Sequence, residues 1–497
     1  METIVGRIEY AAKSDAKVTF VTGDEPMTKT WGQVHHEAKA VAARLQDHGV
    51  RQGDHIAVLG PTTPDLVTTF QAVWLCGATL VVLPLPMRLA SIEEFTAATR
   101  ARIANADCAA VVVDADLLPF VESGPNDPPL LSLAELTEPA EMEAERFIRP
   151  DYDADDLVVL QFTSGSTSEP KGVMLPNRVV MANLDAIMDA AEVDLDTDVM
   201  VSWLPLYHDM GLVGFCILPM AMGLDLVLGA PQDFLASPGR WMEWISTYGG
   251  TATAGPNFSY VLAGRAMRRA KKDLDLSSLR IALNGAEPVD PASVRDFIDA
   301  GERHGLRPGA VFPAFGMAEV AIAGAFPVPM TGLVTDTVDA KALEYEHLAT
   351  PVEDGADGSR EIVLLGRSVP GLEFRVVDPG TGTELAERQV GELQIRGTSV
   401  TTGYYQREDA NAELFDGEWL RTGDLAYLVD GQLAMCGRIK DLIIVGGRNV
   451  YPQDIERVVG SIDGIRAGNV IAFGQAGRNG KEHVVVAADP SPTSPQR

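Results

Sequence analysis

The first 330 residues alternate short β-rich apolar runs with amphipathic stretches, and this alternation constrains the fold more than any other feature. HIAVL at His55–Leu59 and TLVVL at residues 79–83 are typical of strands, and residues 65–75 between them are typical of a helix. This order favours largely parallel sheets with helices on both faces. Because the pattern restarts at residues 157–162 and continues past 225–228, we predict two α/β layers in one large domain.

The alternation of β-rich and amphipathic stretches stops at about Glu361. From there EIVLLG, EFRVVD and GELQIRG predict short strands separated by Gly and Pro turns. The pattern changes again at GRIKD, residues 437–441, which LIIVGG and a helix near Pro452 follow. We therefore predict an α/β protein with a large N-terminal domain over residues 1–437 that ends in a small β-barrel-like subdomain. A small, truncated C-terminal α/β domain follows over residues 438–497, and its tail, residues 490–497, is expected to be disordered.

The composition excludes some classes of partner. The chain has 497 residues, too long for one core, and 40 Lys plus Arg against 70 Asp plus Glu give a net charge of −30. Such a chain avoids nucleic acid and anionic membranes, so an anionic substrate needs a locally positive pocket. The sequence contains no apolar run long enough for a membrane span and no signal peptide. Four cysteines without a CxxC pair predict buried free thiols in a cytoplasmic protein.

The strongest chemical motif is TSGSTSEPKG at residues 163–172, between an apolar strand and an amphipathic stretch. A loop rich in Gly, Ser and Thr offers backbone N–H groups and hydroxyls to phosphate oxygens, and Lys171 adds a positive charge. The spacing differs from that of a Walker A loop. The alternative, a surface Ser/Gly linker, fits the flanking strand and the Lys-Gly pair less well.

Two further motifs follow strands. In WLPLYHDMG, residues 203–211, His208 is either a satisfied core residue or a contact for a substrate carboxylate at the mouth of an apolar channel. In VFPAFGMAEV, residues 311–320, an aromatic side chain is placed to stack on a purine. Glu319 in that motif either binds a cation or merely begins a helix.

Two weaker motifs suggest nucleoside contacts. NGAEP at residues 284–288 follows a strand, and its small residues let a flat base approach the backbone. In EWLRTGDL, residues 418–425, Asp424 is placed to accept hydrogen bonds from ribose hydroxyls, and Arg438 is placed to donate them. Alone, TGD is usually only a turn.

Together these motifs resemble, in order and spacing, the adenylate-forming superfamily of acyl-CoA synthetases, luciferases and nonribosomal adenylation domains. The similarity covers nearly the whole chain. LPLYHDMGLVG, GPNFSY, LNGAEPV and GRNVYPQDIE resemble the fatty-acyl-AMP ligases most. Residues 335–360 match that group's insertion, which is expected to hold the two domains apart and disfavour the use of CoA; an ordinary variable loop is the alternative.

The resemblance implies roles for individual residues. Thr163, Lys171, His208 and Glu319 would be catalytic, with Thr163 and Glu319 near Mg²⁺. His208, Gly211 and Phe258 would line the acyl pocket, and Asp441 would be the hinge. The nucleotide would contact Thr163, Ser164, Gly165, Ser166, Thr167, Gly285, Ala286, Phe315, Gly316, Met317, Asp424 and Arg438.

The function implied is activation of a medium- or long-chain fatty acid to acyl-AMP with ATP and Mg²⁺, for transfer to an acyl carrier protein or a polyketide synthase carrier domain in lipid, polyketide or lipopeptide biosynthesis. A long-chain acyl-CoA synthetase is one alternative. A catalytically impaired adenylate-binding paralogue is another, because a lysine motif expected near the C-terminus of relatives does not occur among the 56 residues after Asp441. The basic stretch RAMRRAKK, residues 265–272, is either a dock for an acidic carrier or a solvated helix face.

Overall fold

The computed structural model describes residues 2–23, 25–86, 91–121, 124, 127–139, 142–163, 170–445, 448–460, 462, 464–476 and 482–490. The α-helices are α1 (Ile4–Ala11), α2 (Trp31–Asp47), α3 (Pro64–Leu75), α4 (Ile92–Asn105), α5 (Leu133–Thr137), α6 (Asn177–Ala190), α7 (Leu218–Met222), α8 (Pro231–Ala236), α9 (Gly239–Tyr248), α10 (Asn257–Arg269), α11 (Pro291–Glu302), α12 (Glu408–Leu414) and α13 (Pro452–Gly460). Short 3₁₀ or π turns lie at Ala115–Phe120, Glu143–Arg146, Met210–Ile217, Pro308–Ala310, Ala318–Val320, Ala342–Glu346 and Ile439–Asp441.

The strands of the N-terminal two thirds are β1 (Lys17–Phe20), β2 (Met27–Thr30), β3 (His55–Leu59), β4 (Thr79–Val82), β5 (Cys108–Val113), β6 (Leu130–Ser132), β7 (Leu157–Thr163), β8 (Lys171–Pro176), β9 (Val199–Ser202), β10 (Asp225–Leu228), β11 (Ala252–Gly255), β12 (Ile281–Asn284), β13 (Val311–Pro313), β14 (Phe315–Gly316) and β15 (Ala323–Phe326). The later strands are β16 (Thr335–Asp339), β17 (Ser359–Val363), β18 (Arg367–Ser368), β19 (Leu372–Val377), β20 (Gly391–Gly397), β21 (Phe415–Asp416), β22 (Trp419–Val429), β23 (Gln432–Arg438), β24 (Ile443–Val445), β25 (Arg448–Val450), β26 (Ile465–Ala476) and β27 (Glu482–Pro490).

The first large sheet has the order β6-β5-β3-β4-β7-β8 and is parallel except where β7 pairs with β8. Every residue of β3 and β4 is buried, as expected for strands covered by helices on both faces. Helix α3 begins one residue earlier than the sequence pattern indicates, because Thr63 caps it and Pro64 occupies its first turn.

The second large sheet has the order β13-β12-β11-β9-β10-β1-β2 and is parallel except where β1 pairs with β2. One continuous core joins the two sheets, since Val58 and Leu80 of the first belong to the same buried cluster as Val201 and Leu226 of the second. The predicted pair of α/β layers is therefore confirmed. In sheets of this kind, ligands bind outside the carboxyl ends of the strands. In the second sheet these ends lie together along one side, which we call its carboxyl edge.

The β subdomain is an antiparallel sheet of the order β19-β20-β22-β21, with β23 paired to β22. Smaller sheets join β14-β15-β18, β16-β17, β24-β25 and β26-β27. The C-terminal part, after residue 437, contains the turn Ile439–Asp441, the paired strands β24–β25 and β26–β27, and α13, so it combines a helix and strands as predicted. The domain boundary after residue 437 stays a prediction, and residues 491–497 lie outside the described residues.

The segment matched to the family insertion is ordered by packing. Its strands β16 and β17 pair, and Val338, Leu343 and Ala349 are buried in one cluster with Tyr427 and Tyr451. At its end Arg360 lies 3.2 Å from a carboxylate oxygen of Asp454 and 4.6 Å from the centre of the Tyr451 ring. The segment therefore packs against the C-terminal part, while its effect on the choice of acceptor stays a prediction.

Two composition-based expectations concern cysteines and membranes. All four cysteines lie in described segments and are free; Cys76, Cys216 and Cys436 are buried, and Cys108 is half-buried. Within the described ranges, no helix is both long and apolar enough to cross a bilayer.

Candidate functional site

A cavity of about 780 Å³ lies between the carboxyl edge of the second sheet and the β subdomain, and it continues along the strands towards their amino ends. Ten of the residues predicted from the sequence line it. They are Thr163, Lys171, His208, Gly285, Ala286, Phe315, Gly316, Met317, Glu319 and Arg438. Residues that are up to 275 positions apart in the chain (438 − 163) therefore share one cavity.

Thr163 and Lys171 face each other across the first sheet's antiparallel edge. They are register partners in the β7–β8 ladder, so the strands hold both at the cavity wall. The predicted phosphate-binding residues between them, Ser164, Gly165, Ser166 and Thr167, lie outside the described residues.

Glu319 is connected to Lys171 through a tyrosine. The Tyr404 hydroxyl donates a 2.8 Å hydrogen bond to Glu319 Oε1, and Lys171 Nζ lies 4.8 Å from the centre of the Tyr404 ring. Burial raises the pKa of the Glu319 carboxyl, although the hydrogen bond from Tyr404 opposes that shift. Burial thus leaves the charge of this carboxylate poorly solvated, and a positive ligand would stabilise it.

His208 follows β9 and points a partly exposed ring at the cavity. Its Nδ1 lies 2.6 Å from Asp209 Oδ1, and the ring is 50% exposed. Burial acts to lower the pKa of His208, but the charge and hydrogen bond of Asp209 outweigh it, so the pKa lies above its usual value. His208 therefore carries more positive charge near neutral pH than a free histidine does.

Gly211 and Phe258 are both expected in the acyl pocket, and that role stays a prediction. A Cβ on Gly211 would lie 2.2 Å from the carbonyl oxygen of Pro205, so the backbone packs too closely there for a side chain. Phe258 is 43% exposed at the start of α10, and its N–H donates to Glu287. Neither is among the described residues that line the cavity.

The adenine-binding candidates follow the ends of β12 and β13. A Cβ on Gly285 would lie 3.0 Å from the carbonyl oxygen of Ala314, and Ala286 has a left-handed φ of +67°. A Cβ on Gly316 would lie 2.0 Å from the Ile322 carbonyl oxygen, so the β14–β15 hairpin admits only glycine there. These small residues line the same cavity as Phe315, which is 9% exposed.

Asp424 and Arg438 are register partners in the β22–β23 ladder, and Arg438 Nε lies 3.2 Å from Asp424 Oδ1. Burial raises the pKa of Asp424 to about 6, although Arg438 opposes that shift. Asp424 is not among the described residues that line the cavity, whereas its chain neighbours Thr422 and Gly423 and its partner Arg438 are. The hinge candidate Asp441 ends the 3₁₀ turn Ile439–Asp441, and its hinge role stays a prediction.

Some residues at the polar end of the cavity were not predicted from the sequence. Tyr404 belongs to no motif recognised above, and Glu392 is 3% exposed beside Arg421, whose Nε lies 3.2 Å from its Oε2. A signal existed for Glu392: in GELQIRG, Glu and Gln alternate with apolar residues on a strand whose two faces are both buried. Polar residues in such a strand indicate a polar network, and this one reaches the cavity.

The other end of the cavity is apolar. Ala191 and Val193 after α6, Ala252 and Ile281 at the starts of β11 and β12, and Phe312 in β13 line it. Ala191, Ala252, Ile281 and Phe312 form a buried cluster distinct from the main core. A polar ligand group at the carboxyl edge of the sheet can thus be continuous with an apolar chain lying along the strands.

A profile of the family described as AMP-binding enzyme matches residues 8–405. The chain belongs to the AMP-binding enzyme family. The match covers most of the chain, including both large sheets, the cavity motifs up to Glu319, and Tyr404.

Similar proteins show to which group of AMP-binding enzymes the chain belongs. A putative ligase of Mycobacterium tuberculosis is 40% identical over 95% of this chain and 87% of its own length. The long-chain-fatty-acid--AMP ligase FadD26 of Mycobacterium bovis is 36% identical over 88% of this chain and 77% of its own. A structure from studies of fatty acyl-adenylate ligases of E. coli and L. pneumophila has a TM-score of 0.90 at 33% identity, covering 99% of this chain and 88% of that one. Within the AMP-binding enzymes, the chain is therefore a member of the fatty-acyl-AMP ligase group, which confirms the predicted family and fold class.

Proposed function

We propose that this AMP-binding enzyme activates a fatty acid by joining it to AMP. An oxygen of the fatty carboxylate attacks the α-phosphorus of ATP, a new P–O bond forms, and the bond to the bridging oxygen breaks as pyrophosphate leaves. The carboxylate is ionised at pH 7, so no general base is required. The observation that carries the proposal is the single cavity whose polar end holds Lys171, Glu319 and Arg438 and whose other end is apolar.

The residues of the polar end divide the work of holding two anions together. Lys171, oriented over the Tyr404 ring, is placed to neutralise phosphate oxygens, and His208 with its raised pKa is placed to attract the fatty carboxylate. Phe315 and Gly285 line the part of the cavity where we place adenine, and Asp424, paired with the cavity-lining Arg438, is placed to accept hydrogen bonds from the ribose. Positioning and charge neutralisation are the main sources of rate in such a displacement.

Thr163 and Glu319 fit a magnesium ion. Both offer oxygen ligands at the cavity wall, which is the donor type that Mg²⁺ prefers, and the carboxyl of Glu319 has a raised pKa because burial leaves its charge poorly solvated. A bound Mg²⁺ would supply positive charge to the triphosphate. Magnesium therefore belongs to the proposal together with ATP.

The second half-reaction that we propose transfers the acyl group to the phosphopantetheine thiol of a carrier protein. The thiolate attacks the acyl carbon, a thioester forms, and the bond to the AMP oxygen breaks. Side chains of the basic stretch at the end of α10 and just after it, among them Arg265, Arg269 and Lys272, are exposed, and Arg268 is paired with Asp296. We propose that an acidic carrier protein binds to this surface. The alternative is that these residues are only a solvated face of the helix.

The test uses the full chain with ATP, MgCl₂ and saturated fatty acids of 8 to 24 carbons. Acyl-adenylates are identified by mass spectrometry and pyrophosphate is measured in a coupled assay. We expect acyl-AMP and pyrophosphate in equal amounts, and transfer to a holo carrier protein but little acyl-CoA when CoA is added. Rapid acyl-CoA formation would favour an acyl-CoA synthetase. Nucleotide binding with background pyrophosphate release would favour a silent adenylate-binding protein.

A further inference from the structure

The apolar end of the cavity lies at the amino edge of the second sheet. Ala252 and Ile281 are the first residues of β11 and β12, and Phe312 is the second residue of β13. The segment that connects α6 to β9 adds Ala191 and Val193 to the same wall. Because the strands are parallel, their amino ends together form the far end of the cavity, opposite the nucleotide motifs.

Three polar residues stand immediately before these strands. Asp198 precedes β9, Thr251 precedes β11 and Arg280 precedes β12. The Thr251 hydroxyl donates to Asp198 Oδ1 at 2.7 Å, and Arg280 Nε donates to the same oxygen at 2.8 Å. Arg280 Nη2 donates to Asp198 Oδ2 as well. We name Asp198, Thr251 and Arg280 the polar belt, since they link three neighbouring strands just beyond the cavity.

The polar belt also holds the connecting segment. Arg280 Nη1 donates to the carbonyl oxygen of Ala191 at 2.8 Å, and Nη2 donates to that of Glu192 at 3.0 Å. The Asp194 N–H donates to Asp198 Oδ2 at 2.9 Å, and Glu192 has a left-handed φ of +48°. The side chain of Asp198 is 3% exposed and that of Arg280 is 19% exposed. Removing one partner of such a pair leaves a buried charge uncompensated, so the arrangement is rigid.

We propose that the polar belt fixes the floor of the acyl cavity and thereby sets the longest acyl chain that the protein accepts. This inference rests on the proposed activation of a fatty acid. Arg280 is a positioning residue, because it acts through Ala191 and Val193 and does not touch the chain itself. The floor resists displacement because moving Ala191 would break its hydrogen bond with the half-buried guanidinium of Arg280.

Arg44 provides a matched control. It pairs with Glu143 and donates to the carbonyl oxygens of Glu135 and Leu136, so it has the same chemistry as Arg280. Its side chain is 16% exposed, comparable with that of Arg280. It lies beside the first sheet, and it is not among the described residues of the acyl cavity. Arg44→Met therefore measures the general effect of losing an arginine that joins a carboxylate to backbone carbonyl oxygens.

The experiment measures the affinity of saturated acids of 8 to 24 carbons by displacement of a fluorescent fatty acid, for the wild-type chain, Arg280→Met, Arg44→Met and Thr251→Val. Arg280→Met is expected to raise the affinity for acids two to four carbons beyond the wild-type limit by about tenfold relative to the best wild-type acid. Thr251→Val is expected to act in the same direction with a smaller effect, and Arg44→Met is expected to leave the ratio unchanged.

A chain-length profile of Arg280→Met that matches that of Arg44→Met would overturn the inference. If Arg280→Met does not fold, Thr251→Val decides, and its unchanged profile has the same meaning. Acyl-adenylate formation by the wild-type chain is measured separately. Absence of turnover together with a belt-dependent chain-length limit in binding would sink the proposed catalysis but not the role of the belt.

Discussion

The two ends of the cavity use the same parallel strands in different ways. At the carboxyl ends of β9, β12 and β13, contiguous motifs place His208, Gly285 and Phe315 at the nucleotide end. At the amino ends, single residues such as Ala252 and Ile281 form the apolar wall. Residues that bear the chemistry therefore come from loops directly after strands, whereas the apolar wall comes from single residues spread over several elements.

The largest effect is expected at the nucleotide end from Glu319→Gln. Gln keeps the shape and a carbonyl oxygen for the Tyr404 hydroxyl but removes the charge that would hold Mg²⁺. We expect kcat to fall by about 10² to 10³, as when one preorganised electrostatic contact is lost. Adenylation kinetics measure the fall in kcat, and the melting temperature measures whether the fold is kept.

Glu413→Gln is the matched control for that variant, because Glu413 lines the same cavity but is exposed. It is expected to change kcat by less than about twofold. Unchanged kinetics in Glu319→Gln would remove Glu319 from the metal site and weaken the contrast between the two ends.

Ala252→Leu tests the apolar end. The added methyl groups would fill space at the far end and shorten the chain that fits. We expect kcat/KM for the longest accepted acid to fall about tenfold or more, while short acids are nearly unaffected. A uniform loss over all chain lengths, with a lowered melting temperature, would mean that Ala252 is only a core residue.

The pH dependence of nucleotide binding tests the ribose contact. Burial raises the pKa of Asp424 to about 6, so lowering the pH through this value protonates the carboxyl and removes its charge as an acceptor. We expect ATP affinity to fall about tenfold between pH 7 and pH 5. The Asp424→Asn variant should bind ATP weakly at every pH. Any pH dependence that it retains reports the titration of ATP itself. A wild-type curve parallel to that of Asp424→Asn would contradict the assignment.

Tyr404→Phe is expected to have the smallest effect. It removes the 2.8 Å hydrogen bond to Glu319 but keeps the ring beneath Lys171. One hydrogen bond to a charged group contributes about 1.5–3 kcal/mol, and part of it is regained from water or metal, so we expect kcat/KM to fall about five- to tenfold. Steady-state kinetics with varied MgCl₂ measures it, and a loss as large as that of Glu319→Gln would make Tyr404 a direct substrate contact.

The sequence predicted the layered fold well, because strands buried on both faces give continuous apolar runs such as His55–Leu59. It also predicted residues that the fold brings to one cavity wall, since Thr163 and Lys171 belong to one motif and the β7–β8 ladder then places them together. Their roles in nucleotide binding stay predictions. These are cases in which sequence neighbours remain spatial neighbours.

The apolar end was not predictable in the same way. Gly211 and Phe258 belong to motifs, yet neither is among the described residues that line the cavity. The floor that we propose depends on Ala252, an ordinary small residue, and on Arg280, whose partner Asp198 is 82 positions away. Such pairing follows from strand order, which no local pattern encodes.

The central claim is that one cavity holds the nucleotide at the carboxyl edge of the second sheet and the fatty chain at its amino edge. A crystal structure with a non-hydrolysable acyl-sulfamoyl adenosine tests it most directly. We expect adenine beside Phe315 and Ala286, and the last carbons of the chain in contact with Ala252 and Ile281. A chain that leaves the cavity towards solvent or lies against the first sheet would contradict it.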